Sequence, residues 1–136
     1  MLTTKSINPK LMETISLLGH GDKLLIADGN YPLASKTGDA KKVWLGLRPG
    51  LPTVTDVLET LQSVMNFEKA EVMDPGEGEA EPEIFEEFRE MLPELSLEKM
   101  GRYEFYDASC EKIVCLAIST GEKRTFANIL LTVGVA

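Results

Sequence analysis

The only histidine of the chain, His20, lies in a turn that two glycines flank and an acid follows, Gly19-His20-Gly21-Asp22. Imidazole is the side chain whose charge ordinarily changes near neutral pH, so it can both give and take a proton. Other polar residues offer hydrogen-bonding groups for the same ligand: Asp22, Asp28, Arg102 and Asn128. This combination suits proton transfer on a neutral substrate that carries many hydroxyl groups.

Each of these residues also has a purely structural interpretation, and the sequence alone leaves both open. A histidine between glycines is common in turns, and Asp28 before Gly29 is an ordinary turn signal. Arg102 can pair with a surface acid, and Asn128 can cap a turn.

Several other kinds of site are not indicated. The two cysteines, Cys110 and Cys115, are not at metal-ligand spacing, and a single histidine argues against a zinc site. No serine or cysteine has the surroundings of an activated nucleophile. The glycines around His20 precede a strand, whereas a dinucleotide-binding loop is followed by a helix, and there is no phosphate-binding loop. The sequence therefore predicts chemistry without a metal or cofactor.

The charge of the chain argues against some partners. Its 136 residues include 22 acids and only 14 lysines and arginines, which gives a net charge of -8. Nucleic-acid binding needs clustered positive charge. No apolar run approaches the roughly 20 residues of a membrane span, and the first residues lack the hydrophobic stretch of a signal peptide. These features predict a single-domain cytoplasmic protein that binds neither nucleic acid nor membrane.

Helical and strand patterns alternate along the chain, which predicts an α/β fold: one three-layer domain with a central sheet and helices on both faces. Helix starts are indicated at Asn8-Pro9, at a capping box in residues 53–56, and near Ile84. The first helix is predicted to end at Gly19, where its dipole would favour a charged His20 imidazole. Strands are predicted at 24–27, 43–47, 70–73, 102–106, 113–118 and 129–133. The last of them is predicted to pair antiparallel with its predecessor.

The stretch Asp74–Glu90 holds eight of the 22 acids. A Ca²⁺ site would need an alternating Asp and Asn pattern with a central glycine, which is missing. An acidic interaction module would rest on this stretch alone. The favoured interpretation is a solvated loop and then a helix that buries Ile84, Phe85, Phe88 and Leu92.

His20 and Asp28 are predicted at opposite ends of one strand, too far apart to hold one ligand in a single chain. They can share a ligand if the chain folds back sharply, or if a neighbouring subunit brings the two surfaces together. A shared site would therefore depend on chain reversal or on assembly.

A set of motifs follows in order along the chain: Gly19-His20-Gly21-Asp22, Ile26–Pro32, Arg102–Tyr106, Thr120–Glu122, Phe126–Leu131 and Val133–Val135. Together they resemble the family of D-ribose pyranases and L-fucose mutarotases, and the resemblance runs essentially end to end. The His-Gly-Asp turn and the Arg-aromatic pattern at 102–106 favour the fucose branch.

The resemblance implies a catalytic role for His20 and sugar contacts from Asp28, Arg102, Phe126, Ala127 and Asn128. The triplet at 126–128 usually begins with tyrosine in this family, so Phe126 lacks a hydroxyl that would assist proton transfer or bind the sugar. Trp44 or Phe126 is a candidate to stack on an apolar sugar face. The resemblance implies no cofactor and no metal. The implied partners are a monosaccharide and further copies of the chain, in a ring-like homo-oligomer of about eight to ten subunits.

The function that follows is an L-fucose mutarotase-like isomerase over residues 1–136. It would open and reclose the ring of a free monosaccharide by acid–base catalysis, and so interconvert the α and β anomers. One alternative is a D-ribose pyranase, which closes the open sugar to a different ring size. Another is a non-catalytic monosaccharide-binding protein.

Overall fold

The computed structural model describes the whole chain, residues 1–136, as four helices around a six-stranded sheet. The helices are α1 (Pro9–Ile15), α2 (Val54–Gln62), α3 (Ile84–Met91) and α4 (Arg102–Ser109). The strands are β1 (Lys23–Ala27), β2 (Lys41–Trp44), β3 (Phe67–Met73), β4 (Leu97–Met100), β5 (Val114–Ser119) and β6 (Ile129–Val133). Across the sheet their order is β2-β5-β1-β6-β3-β4.

The sheet consists of two parallel groups joined by one antiparallel strand. β5 pairs in parallel with both β1 and β2, and β3 pairs in parallel with β4. β6 lies between the two groups and runs antiparallel to β1 and β3. The predicted pairing of the last strand with its predecessor is therefore wrong, because β1 and β2 already occupy both edges of β5. β2 also begins two residues before its predicted position.

Both faces of the sheet are covered. α1, α2 and α3 pack on one face, where Leu24 and Ile26 of β1 belong to the larger apolar core. α4 packs on the other face through the fully buried Phe105, in a smaller core that includes Leu25 and Ala27. Because successive strand residues point to opposite faces, the unbroken apolar run of β1 serves both layers. The predicted three-layer α/β architecture is confirmed.

Two predicted helix starts are confirmed by their hydrogen bonds. The Leu11 N–H donates to Asn8 Oδ1 at 2.9 Å, and Pro9 occupies the first turn of α1. Thr53 and Asp56 form the predicted capping box at the start of α2, each side chain accepting the other's main-chain N–H. None of the four helices is long and apolar enough to cross a membrane.

The first helix ends earlier than predicted, at Ile15 rather than at Gly19. The residues that follow form a tighter turn, in which the N–H groups of Leu17 and Leu18 donate to carbonyl oxygens three residues back. A helix dipole acts within the last turn. His20 lies beyond that reach, so the predicted effect of the helix dipole on this residue does not apply.

The segment 102–106 is the first half of α4, not a strand, and the strand of this region is the preceding β4. The alternating aromatic residues suggested a strand, but Tyr103 is 77% exposed while Phe105 is fully buried. Two residues apart on a strand, they would share a face. The buried positions are instead Phe105 and Ser109, which lie about one helical turn apart.

The acid-rich stretch Asp74–Glu90 forms a loop and then α3, as predicted. Its apolar residues Ile84, Phe85 and Phe88 are buried, and so is Leu92 just after the helix. No group of three or more histidine, cysteine or acidic side chains is arranged in the chain to hold a metal ion.

Candidate functional site

Side chains from four parts of the chain line a cavity of about 170 Å³ beyond the carboxyl end of β1. They come from the loop after β1, from α4, and from the segment that leads into β6, with one residue from the end of β3. The lining residues are Asp28, Asn30, Tyr31, Met73, Arg102, Tyr106, Thr125, Phe126 and Asn128. The structure therefore brings together the residues predicted to bind sugar: four of them line the cavity, and the fifth, Ala127, is buried and donates its main-chain N–H to Asp28. We call this space the β1 cavity.

Asp28 is the most constrained polar group of the β1 cavity, at 2% exposure. Its Oδ1 accepts the Asn30 N–H at 2.9 Å and its Oδ2 accepts the Ala127 N–H at 3.3 Å. Burial raises the pKa of the Asp28 carboxyl, and the N–H groups of Asn30, Ala127 and Tyr31 offset only part of that effect. Each carboxylate oxygen can accept a further hydrogen bond, so Asp28 can still receive a ligand hydroxyl.

Asn128 binds back to the same loop and keeps a donor for a ligand. Its Oδ1 accepts the main-chain N–H of Asp28 at 2.8 Å. Its amide N–H side faces the Asp28 carboxyl and acts to lower the pKa of that group. The side chain is only 3% exposed and lines the cavity. Because the amide nitrogen carries two N–H groups, one of them remains for the oxygen of a ligand hydroxyl. Ala127 contributes through its main-chain N–H alone, because its buried methyl group lies outside the lining.

Phe126 has a backbone conformation that bulky residues seldom adopt. Its φ is +58°, in the left-handed region. The turn that needs this angle sets the directions of the Ala127 N–H and the Asn128 side chain, which both reach Asp28. Rare backbone angles of this kind concentrate at functional sites, where the surrounding contacts hold them.

Arg102 reaches the β1 cavity from the first turn of α4. Its Nε donates to Tyr106 Oη at 3.2 Å, and its guanidinium lies 5.8 Å from the centre of the Tyr106 ring. Tyr106 in turn meets Tyr31 edge to face, with ring centres 5.4 Å apart. The sequence predicted Arg102 and missed Tyr106. The spacing of four residues would have indicated it if the segment had been interpreted as a helix.

His20 lies elsewhere. It lines a second cavity, of about 750 Å³, with residues after α1, residues 62–66 and the end of β6. The turn that carries it precedes β1, whereas Asp28 follows β1, and that strand alone spans about 13 Å at ~3.3 Å per residue. Within one chain the structure does not bring His20 together with the β1 cavity. Trp44 lines neither cavity and is 61% exposed.

The acid that contacts His20 is Glu68, which the sequence did not indicate. His20 Nε2 lies 2.9 Å from Glu68 Oε2 and 3.1 Å from Oε1. Asp22, the acid nearest in sequence, instead accepts the Gly19 N–H at 2.8 Å and closes the turn. Glu68 is 48 residues away in sequence, so no local pattern could connect it with His20.

Comparison with known proteins places these features in a family. The family model described as the RbsD / FucU transport protein family matches residues 1–136. The D-ribose pyranase of Variovorax paradoxus is 34% identical over 140 residues, which cover 99% of this chain and 98% of that protein.

Solved structures of the same fold agree with this match. Bacillus subtilis RbsD, solved in complex with D-ribose, superposes with a TM-score of 0.85 at 29% identity, over 100% of this chain and 99% of that one. The fucose mutarotase of Streptococcus pneumoniae, solved with L-fucose, gives a TM-score of 0.82 at 26% identity and the same coverage. The chain belongs to the RbsD / FucU family.

Proposed function

We propose that this chain is an isomerase that opens and recloses the ring of a free monosaccharide by acid–base catalysis. The observation that carries the proposal is the buried Asp28 beside the Asn128 amide in the β1 cavity. A carboxylate with free lone pairs and an amide with a remaining N–H donor match the donors and acceptors of sugar hydroxyls. Arg102 adds further donors, and Phe126 and Tyr106 offer an apolar surface to the sugar ring.

The chemistry needs one group that exchanges a proton near neutrality. Ring opening places a proton on the ring oxygen as its bond to C1 breaks, and removes a proton from the anomeric hydroxyl, which becomes the carbonyl. The open form rotates about C1–C2 and closes again. The His20 imidazole can act as the acid in one direction and as the base in the other, a contribution of about 10²–10⁴-fold. Asp28 and Asn128 would hold the hydroxyls so that the correct oxygen meets the imidazole.

A second copy of the chain would supply that imidazole. The β1 cavity is smaller than the roughly 300 Å³ at which ligand pockets begin, as expected for a site with a missing wall. His20 faces the opposite end of β1, so a neighbour would meet the β1 cavity with a different surface of its own. Contacts between two different surfaces generate closed rings when the rotation permits. We therefore keep the expectation of a ring-like homo-oligomer, of about eight to ten subunits.

Two sugars are candidates for the substrate. L-fucose is favoured by the motif that contains Arg102, whose side chain lines the β1 cavity. D-ribose is favoured by the relatives, since the V. paradoxus protein is named a D-ribose pyranase and B. subtilis RbsD was solved with D-ribose. The two activities share the ring-opening step and differ in how the ring closes.

NMR exchange spectroscopy tests the proposal directly. Accelerated exchange between the anomers of L-fucose supports a mutarotase, and accelerated exchange between the pyranose and furanose forms of D-ribose supports a pyranase. If the protein binds either sugar and accelerates neither exchange, it is a binding protein and the proposed catalysis is wrong. The Arg102→Ala variant should lose more exchange with L-fucose than with D-ribose if Arg102 selects the sugar.

A further inference from the structure

Glu68 occupies an irregular position in the sheet. Where β3 pairs with β6, Phe67 lies opposite Val133 and Lys69 lies opposite Thr132, so Glu68 between them has no partner. This extra residue is a β-bulge. A bulge bends its strand and changes the direction of its side chain, and bulges are common beside active sites. Here the side chain of the bulge residue contacts His20.

The bulge and the histidine turn are held by the same stretch of chain, the end of β6. On one side, the Gly21 N–H donates to the Val133 carbonyl at 2.9 Å, and the Val133 N–H donates to the Asp22 carbonyl at 2.8 Å. On the other side, the Gly134 N–H donates to the Asn66 carbonyl at 2.8 Å. The main chain therefore fixes the positions from which His20 and Glu68 meet, independently of the ion pair itself.

The contact determines which imidazole nitrogen is free. A carboxylate only accepts hydrogen bonds, so His20 Nε2 must carry a proton when it lies between the two Glu68 oxygens. Nδ1 has no hydrogen-bond partner in the chain. Given the proposed function, Nδ1 is the nitrogen that can exchange a proton with the sugar.

We propose that Glu68 is a positioning residue: it holds the His20 ring with Nε2 protonated and Nδ1 open to the substrate, and it stabilises the imidazolium formed during the reaction. This inference rests on the proposed function for its catalytic meaning, and the tautomer it predicts is measurable without any sugar. A role in folding would be small, because the side chains of His20 and Glu68 are 58% and 46% exposed, and exposed ion pairs add little stability.

The tautomer is accessible because the chain has a single histidine, so its ring nitrogens give one pair of ¹⁵N signals. In the neutral form, long-range ¹H–¹⁵N spectra of the wild type should show a protonated Nε2 and an unprotonated Nδ1. Glu68→Ala should give a mixture of both tautomers. Glu68→Gln keeps an acceptor, so its population of the tautomer with a protonated Nε2 should lie between those of the wild type and of Glu68→Ala. Glu59→Ala is the matched control, since Glu59 is an exposed acid paired with Lys5. An unchanged tautomer in Glu68→Ala would overturn the inference, whether or not any sugar is turned over.

Kinetics supplies the second measurement. A general acid–base group that is no longer held in its orientation accelerates the reaction less. Glu68→Ala should therefore lower kcat by about 10- to 100-fold for the sugar that the wild type turns over faster. KM should change little, because the sugar contacts lie in the β1 cavity. Glu68→Gln should recover part of kcat, and Glu59→Ala should match the wild type. A Glu68→Ala protein with wild-type kcat would overturn the positioning role of Glu68. A wild-type protein that accelerates exchange of no sugar would overturn the proposed function but leave the tautomer result intact.

Discussion

Asp28 joins two loops through its own hydrogen bonds, and this gives a single substitution two effects. Both carboxylate oxygens accept main-chain N–H groups, those of Asn30 and Ala127. In Asp28→Asn, one of these N–H groups would face an amide nitrogen and lose its acceptor. Leaving a buried donor unpaired costs roughly 1–3 kcal/mol, so we expect that loss in the free energy of unfolding, measured by urea denaturation.

The same variant should lose most of its sugar affinity, measured by titration calorimetry. Asp107→Asn, at an exposed acid on α4, is the control and should leave both quantities unchanged. A stable Asp28→Asn protein with normal sugar affinity would show that Asp28 only shapes its turn.

Phe126 tests whether a missing hydroxyl limits the reaction. The backbone there has φ +58°, a conformation that strains phenylalanine and tyrosine alike. Phe126→Tyr should therefore fold as the wild type does, and it adds a hydroxyl at the β1 cavity. We expect sugar exchange to be kept or increased, measured by NMR at equal protein concentration. A large loss of exchange in the folded variant would show that the cavity is adapted to a different ligand.

At the scale of elements, the segment that leads into β6 is anchored by a buried acid. Glu122 is 4% exposed, and the Arg124 Nε and Nη2 donate to its two oxygens at 3.0 Å each. Burial acts to raise the pKa of Glu122, but the side chain and N–H of Arg124 and the N–H of Val54 outweigh it, and the pKa is lowered overall. Arg124 also binds Glu87 of α3, so the ion pair links this segment to a helix.

A lowered carboxyl pKa makes stability depend on pH in a definite direction. The stabilisation by Glu122 is complete above the pKa of an unfolded glutamate, about 4.3, and is lost as the pH falls through the lower folded value. Glu122→Gln should cost roughly 1–3 kcal/mol of unfolding free energy at pH 7, because a buried charge-assisted pair is broken. The difference from wild type should shrink as unfolding is repeated at successively lower pH. A difference that stays constant down to the acid limit would contradict this linkage.

The elements also show what the sequence determines. Caps and apolar spacing predicted α1, α2, α3 and most strands, since these signals act within a few residues. The prediction of a strand at 102–106 is wrong. Alternating aromatic residues are compatible with a strand and with a helix, and only the structure shows that Phe105 is buried and Tyr103 exposed. Short β4, with little buried area of its own, gave no signal at all.

The candidate site divides in the same way. Asp28 and Asn128 were predictable from turn chemistry together with the family resemblance. Tyr106 depended on the correct type of element, and Glu68 depended on the register of β3 against β6, including a bulge. Pairing across the sheet is set by distant contacts, so a single sequence gives no access to it.

At the scale of the whole molecule, the strand β1 separates the two halves of the proposed site. One chain presents His20 and Glu68 at one end and the β1 cavity at the other. If assembly unites them, every complete site takes its histidine from one chain and its aspartate from the next. His20→Gln and Asp28→Asn alone should each abolish most sugar exchange, and His20→Gln should do so without loss of stability, since this side chain is 58% exposed.

Mixing the two inactive variants then distinguishes a shared site from an internal one. In oligomers assembled from equal amounts of both chains, a site is complete only when a histidine from the Asp28→Asn chain meets an aspartate from the His20→Gln chain. Random assembly produces that combination in about a quarter of sites, so co-expressed variants should recover about a quarter of wild-type exchange. Light scattering should give a mass of about eight to ten subunits for the wild type and for the mixture. If the mixture stays inactive while assembling normally, or if the active wild type is a monomer, then each chain carries its own complete site and His20 is not the group that acts at the β1 cavity.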